Sequence, residues 1–204
     1  MRYLLVFFLC SSFHAYNQIE YGIYETRYPN EYPYHVYALP QKDSSIVLWV
    51  ECFDMETEKR DAGFLIYEDE LSHFNDVLTE VIDKYIEWSA IAWENKVTSF
   101  NKEITSVNLT LQSYFFVDEI ANFNSSTDIN FDFIVSDDTY KLILNSGFLI
   151  SNSNEVLLSH GWGIFFTSLE ELEDFKSIFS ESNFQSFKEL QFKDPPNVDE
   201  LFKD

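Results

Sequence analysis

A chain of 204 residues that is 46% hydrophobic and 18% aromatic can fill one sizeable core or two small ones, which excludes a disordered protein. Its 13 Lys and Arg stand against 35 Asp and Glu, a formal net charge of -22 spread along the sequence rather than gathered in a tail. A field of that sign repels phosphate backbones and anionic headgroups, so nucleic acid and bare membrane surface are set aside as ligands, and basic partners are favoured.

The chain opens Met1-Arg2, then Tyr3-Leu4-Leu5-Val6-Phe7-Phe8-Leu9-Cys10, then Ser11, Ser12 and Ala15. One positive residue, an apolar run and small residues are the order of a secretory signal peptide, expected over residues 1–16. The run is too short to span a membrane. Secretion or a periplasmic location follows from that reading; the alternative, a buried first strand at residues 3–9, would keep the protein in the cytoplasm. Bulky Phe8 and Leu9 ahead of Cys10 oppose a lipidation site. Removal of the signal leaves Cys52 as the single cysteine, in a strand-like neighbourhood that suits a buried, inert thiol.

Ile19 to Tyr28 alternates apolar and polar residues and predicts a first strand. Tyr34 to Leu39 and Ile46 to Phe53 predict two more, joined as an antiparallel hairpin by Pro40-Gln41-Lys42-Asp43-Ser44-Ser45. Gly63 opens a fourth strand, Phe64-Leu65-Ile66-Tyr67, which breaks into Glu68-Asp69-Glu70. Leu71, Phe74, Leu78, Val81, Tyr85, Trp88 and Ala92 then recur at helical spacing, predicting a long helix from about Glu70 to Trp93 whose acidic start answers the backbone dipole.

Beyond Asn95 short strands return: Phe100 to Ser106, Asn108 to Val117, Ile129 to Val135, Tyr140 to Leu144, Glu155 to Ser159 and Ile164 to Phe166. Asn124 to Asp128, Ser136-Asp137-Asp138 and Asn145-Ser146-Gly147 read as turns between them. Thr167 with Glu170, and Ser168 with Glu171, each fit a capping box, so a second, shorter helix begins there and buries Leu169, Leu172, Phe175, Ile178 and Phe179. In the tail, Phe184, Phe187 and Leu190 continue a helical pattern until Pro195-Pro196 stop it.

Phe64–Phe74 and Phe165–Phe175 align without gaps, sharing Phe, Glu, Leu and Phe at a strand-to-helix junction, which raises the prospect of a duplicated unit. The expected fold is therefore α+β: an antiparallel, meandering sheet with one long and one shorter helix packed on it. Its parts are 17–95 and 96–183, each closed by a helix and together one domain or two tandem units, with a tail at 184–204. A strand-rich unit closed by a helix resembles in outline the Whirly and PUR-type single-strand nucleic-acid binders. The likeness is one of topology alone, and the acidic charge opposes it, since those surfaces need Lys and Arg along the sheet.

No motif specifies catalysis. Asp128-Ile129-Asn130-Phe131-Asp132 opens like a calcium loop but has Phe133 where Gly is required and Thr139 where Glu is required. Cys and His lack zinc spacing, five glycines build no phosphate loop, and no serine elbow occurs. No cofactor and no metal are expected. Asn108-Leu109-Thr110 and Asn124-Ser125-Ser126 are glycosylation sequons if the protein enters a eukaryotic secretory pathway. The best candidate for a binding loop is His160-Gly161-Trp162-Gly163, where two glycines free the backbone to present an imidazole beside an indole. The expected function is an exported, acidic, non-enzymatic binding or accessory module that recognises a protein or extracellular ligand. Its alternatives are an inhibitor or immunity-type protein for a basic partner, and an exported hydrolase with an unrecognised carboxylate pair.

Overall fold

Strand β3 (Ile46–Asp54) is the member through which the two ends of the sheet meet. In the computed structural model, which describes residues 18–27, 32–57, 59–136 and 139–192, it is buried along nearly its whole length. Along one edge it pairs with β4 (Ala62–Tyr67), from Val47↔Tyr67 to Cys52↔Ala62. Its other edge is shared. β2 (Tyr32–Pro40) takes Ile46 to Val50, and β12 (Trp162–Phe166) takes only Phe53 and Asp54.

Outward from β2 lies β1 (Ile19–Thr26), and outward from β4 lie β6 (Thr110–Val117) and β7 (Ile120–Asp128). Beyond β12 follow β9 (Thr139–Asn145), β8 (Asn130–Ser136) and the edge strand β5 (Ser99–Glu103). These ten strands form one sheet in which every pairing is antiparallel, and β10 (Leu149–Ile150) with β11 (Leu158–Ser159) forms a separate two-stranded ribbon. The fold class is the α+β meander expected, with strands of both halves of the chain in one sheet.

A single 3₁₀ turn, Glu68–Glu70, converts β4 into α1 (Leu71–Glu94). The Glu70 carboxylate accepts from the Tyr67 backbone N–H at 3.0 Å, the reach-back half of a capping box. Helix α1 buries Leu71, Phe74, Leu78, Val81, Tyr85 and Ala92 of the predicted face, and Val77 and Ile82 in addition. Ser168 caps α2 (Leu169–Ile178), accepting from Glu171 N–H. Phe74, Phe166, Phe175 and Phe179 meet edge-on or tilted at 5.0 to 6.4 Å between centroids and form the aromatic centre of the core. Each such ring contributes about 1.5–3 kcal/mol by leaving water.

On the opposite face of the sheet, Val47, Trp49, Leu65 and Tyr114 form a second cluster, flanked by half-buried Tyr37, Tyr67, Phe116 and Phe123. Gly63 makes room for it: a Cβ there would stand 2.0 Å from the Val50 carbonyl oxygen and 2.7 Å from the Tyr114 hydroxyl, which donates to that same carbonyl.

Two local expectations are corrected. Asn124 to Asp128 is the end of β7 rather than a turn, with Ser125, Ser126 and Asp128 exposed and Thr127 buried. The chain reverses instead at Asp118-Glu119, with φ of 50° and 65°, the left-handed pair of a tight hairpin built here without Asn or Gly. The tail begins with a separate helix, α3 (Glu181–Gln191), because Ser180 accepts from Asn183 N–H and restarts the backbone as a new N-cap. The signal-peptide reading, the Asp137-Asp138 turn and the Pro195-Pro196 stop lie outside the described residues.

Candidate functional site

Strands β9 and β12 are neighbours, with Asn145 opposite Gly163, so the residues between them must leave the sheet and return at the same point. They do so through a closed neck. Ser146 N–H donates to the Trp162 carbonyl (3.1 Å), and Trp162 N–H donates back to Ser146 Oγ (3.0 Å). Gly161 N–H donates to Ser159 Oγ, and the Gly161 carbonyl accepts from Met55 N–H at 2.9 Å. Gly161 sits at φ +88°, and a Cβ on it would lie 1.8 Å from the Gly147 carbonyl oxygen. Only glycine fits both the torsion and the contact.

Trp162 anchors the neck. It is fully buried, its ring lies 4.8 Å from Phe64, and its indole N–H donates to Ser113 Oγ on β6 at 3.0 Å. Gly163 is also buried, leaving space that Phe165 and Met55 occupy. Of the four predicted residues, His160 alone is solvent-exposed, and its ring stands 5.3 Å from that of Phe148.

Above the neck, β10 and β11 pair through Leu149↔Ser159 and Ile150↔Leu158. The inward positions are anchored: Leu149 and Ser151 are fully buried, Ser151 Oγ donates to Asn122 Oδ1, and Asn152 N–H donates to the Phe123 carbonyl at 2.8 Å. Side chains alternate across a strand, so Ile150 and its partner Leu158 point to water, and Phe148 and Val156, just outside the two strands, are exposed as well. Phe148 is 75% exposed, Ile150 47%, Val156 84% and Leu158 58%. Isolated apolar residues on a surface are ordinary, whereas these four gather on one short ribbon as an exposed apolar patch. Ile150 also borders a shallow depression shared with Asn124, Asn152 and Glu155.

The charge around the ribbon is acidic. Glu155 sits near its tip, Glu56 follows Met55 at the neck, and Asp132 accepts from Asn145 Nδ2 at 2.9 Å beside it.

Other sequence candidates resolve into structural roles. Cys52 is fully buried beside the Tyr24 hydroxyl, and burial pushes its thiol well above the ordinary range, away from nucleophilic chemistry. His35 pairs with Glu20 at 2.9 Å, and His73 lies 3.3 Å from the Asn108 carbonyl. The calcium-like stretch runs into β8, where Phe131 is in the core. Among the described residues no group of three or more His, Cys, Asp or Glu is placed to hold a metal ion, and no helix is long and apolar enough to cross a membrane.

The four apolar ribbon residues stand outside the predicted His160–Gly163 loop, in a stretch whose short apolar pairs are interrupted by Ser and Asn. The available signal was Phe148-x-Ile150 and Val156-x-Leu158 on either side of Ser151-Asn152-Ser153-Asn154, bracketed by Gly147 and Gly161. Comparison with known proteins finds no matching family model, no matching curated protein and no matching solved structure.

Proposed function

We propose that the protein is a non-enzymatic binding module that recognises a protein partner through the β10–β11 ribbon, with Phe148, Ile150, Val156 and Leu158 as the apolar contact and His160 at its border. The observation that carries this reading is the combination of four exposed apolar side chains with a buried, hydrogen-bonded neck. A contact surface held in one conformation loses little entropy on binding, so more of its burial energy appears as affinity.

The net charge of -22 supports a partner with a basic rim, because the field steers oppositely charged proteins together and keeps acidic ones apart. The apolar run after Arg2 supports a site of action outside the cytoplasm.

Photo-crosslinking in the native host tests the reading. A crosslinking residue at Val156 is expected to give a discrete protein adduct that weakens with added salt and disappears when Ile150→Asp and Leu158→Asp are introduced. The same residue at exposed Glu173 on α2 gives none. Equal adducts from both positions, or an adduct insensitive to the two substitutions, would overturn it.

A further inference from the structure

Helices α1 and α2 lie antiparallel but differ in length. Asn75 Nδ2, near the start of α1, donates to the carbonyl of Phe179, the C-cap of α2, and Phe74 packs on Phe175 and Phe179. At the other end, Glu171 in the first turn of α2 raises the pKa of the Tyr85 hydroxyl through its charge, second to the effect of burial. Ten residues of α2 cover about 15 Å at 1.5 Å per residue, whereas the 24 residues of α1 extend about 36 Å. The last turns of α1 thus project past the start of α2.

On that projecting part, Ile86, Ala90 and Trp93 follow one another at intervals of four and three residues and share one face. They continue the line of Ile82, which is buried, yet Ile86 is 45% and Trp93 74% exposed. Along the edge of this strip run Asp83, Glu87 and Glu94, all exposed. Glu87 is paired with Lys84 at 2.7 Å, while the strip itself carries no charge.

We infer that this strip is a second, independent docking surface, and that its occupant is a basic amphipathic helix lying alongside α1 beyond the end of α2. Its apolar face would cover Ile86, Ala90 and Trp93, and its Lys or Arg edge would face Asp83, Glu87 and Glu94. The row of carboxylates selects that occupant over an anionic membrane and over a second copy of this acidic chain, which would bring like charges together.

Trp93 supplies the readout, since Trp49 and Trp162 are buried and Trp88 is half-buried. The probe is a tryptophan-free Leu/Lys amphipathic peptide of about 18 residues, five helical turns, titrated into the full chain. The controls are a Leu/Glu peptide of the same pattern and a Lys/Ala peptide without an apolar face. The Leu/Lys peptide is expected to shift Trp emission to the blue and reduce acrylamide quenching, and neither control does so. Ile86→Asp, or Asp83→Lys with Glu94→Lys, is expected to weaken binding at least tenfold; Trp93→Phe abolishes the shift. An equal response to a control peptide, no response, or a response unchanged by Ile86→Asp overturns the inference. A concentration-dependent dimer in sedimentation that Ile86→Asp dissolves overturns it in favour of a second copy.

Discussion

Gly161 and Gly147 pass backbone against backbone at the neck of the β10–β11 ribbon, so close that a single methyl group at 161 would stand 1.8 Å from the Gly147 carbonyl oxygen. Both adopt positive φ, and the contact fixes where the ribbon leaves the sheet. Gly161→Ala combines a left-handed strain with an impossible contact, so a loss on the order of 3 kcal/mol is expected. Urea unfolding measures it, and a loss below about 0.5 kcal/mol would show that the neck opens freely.

Trp162 and Ile150 separate anchoring from recognition. Trp162→Phe removes the indole N–H that pairs with Ser113 Oγ, leaving that buried hydroxyl without its donor and a gap where the larger ring stood, an expected cost of about 2–3 kcal/mol. Val156→Ser touches a side chain that is 84% exposed and is expected to change stability by less than about 0.5 kcal/mol, and Ile150→Ser, at a half-exposed position, by less than about 1 kcal/mol. Thermal melts of the three variants check the contrast.

Glu70 carries a pH signature. Partial burial raises its pKa above the ordinary 4.5, against the opposing hydrogen bond from Tyr67 N–H. A carboxyl that holds its proton more tightly in the fold than in the unfolded chain destabilises the fold once ionised. Its penalty therefore grows as pH rises from the unfolded value through the raised one. Glu70→Gln keeps an acceptor for Tyr67 N–H and removes that penalty. Melting of the variant between about pH 4 and about pH 7 is expected to fall less with rising pH than melting of the wild type. A steeper fall would mean that the charge at 70 is stabilising.

Cys52 is expected to resist thiol reagents until the core opens, because it is fully buried and its thiolate is disfavoured. Labelling that tracks global unfolding in a denaturant series supports this; rapid native-state labelling would contradict it. A cysteine placed at Val156 in the same chain is expected to label at once.

Elements that repeat one pattern over a long stretch were legible. The α1 face from Leu71 to Ala92 and the Ser168–Glu171 cap could be read because helical spacing and capping chemistry are local. The β2–β3 hairpin was legible because Pro40 to Ser45 is a turn composition between two apolar runs. Strand β7 was hidden because its second half, Asn124-Ser125-Ser126-Thr127-Asp128, is made of residues that also build turns. The ribbon was hidden for a different reason. Its register is set by Ser146, Gly147, Gly161 and Trp162 meeting across a long excursion, a relation that no window of the sequence contains. Equally, that Trp162 points inward depends on Ser113 and Phe64 from distant strands.

The most direct test of the ribbon as the recognition element is the affinity of the full chain for the partner captured at Val156, measured for the wild type and for Ile150→Asp with Leu158→Asp. Placing carboxylates where two apolar side chains would be buried is expected to weaken binding by about 100-fold or more, with the melting temperature unchanged and the wild-type on-rate falling as salt rises. Unchanged affinity in the double variant, with its fold intact, would contradict the account.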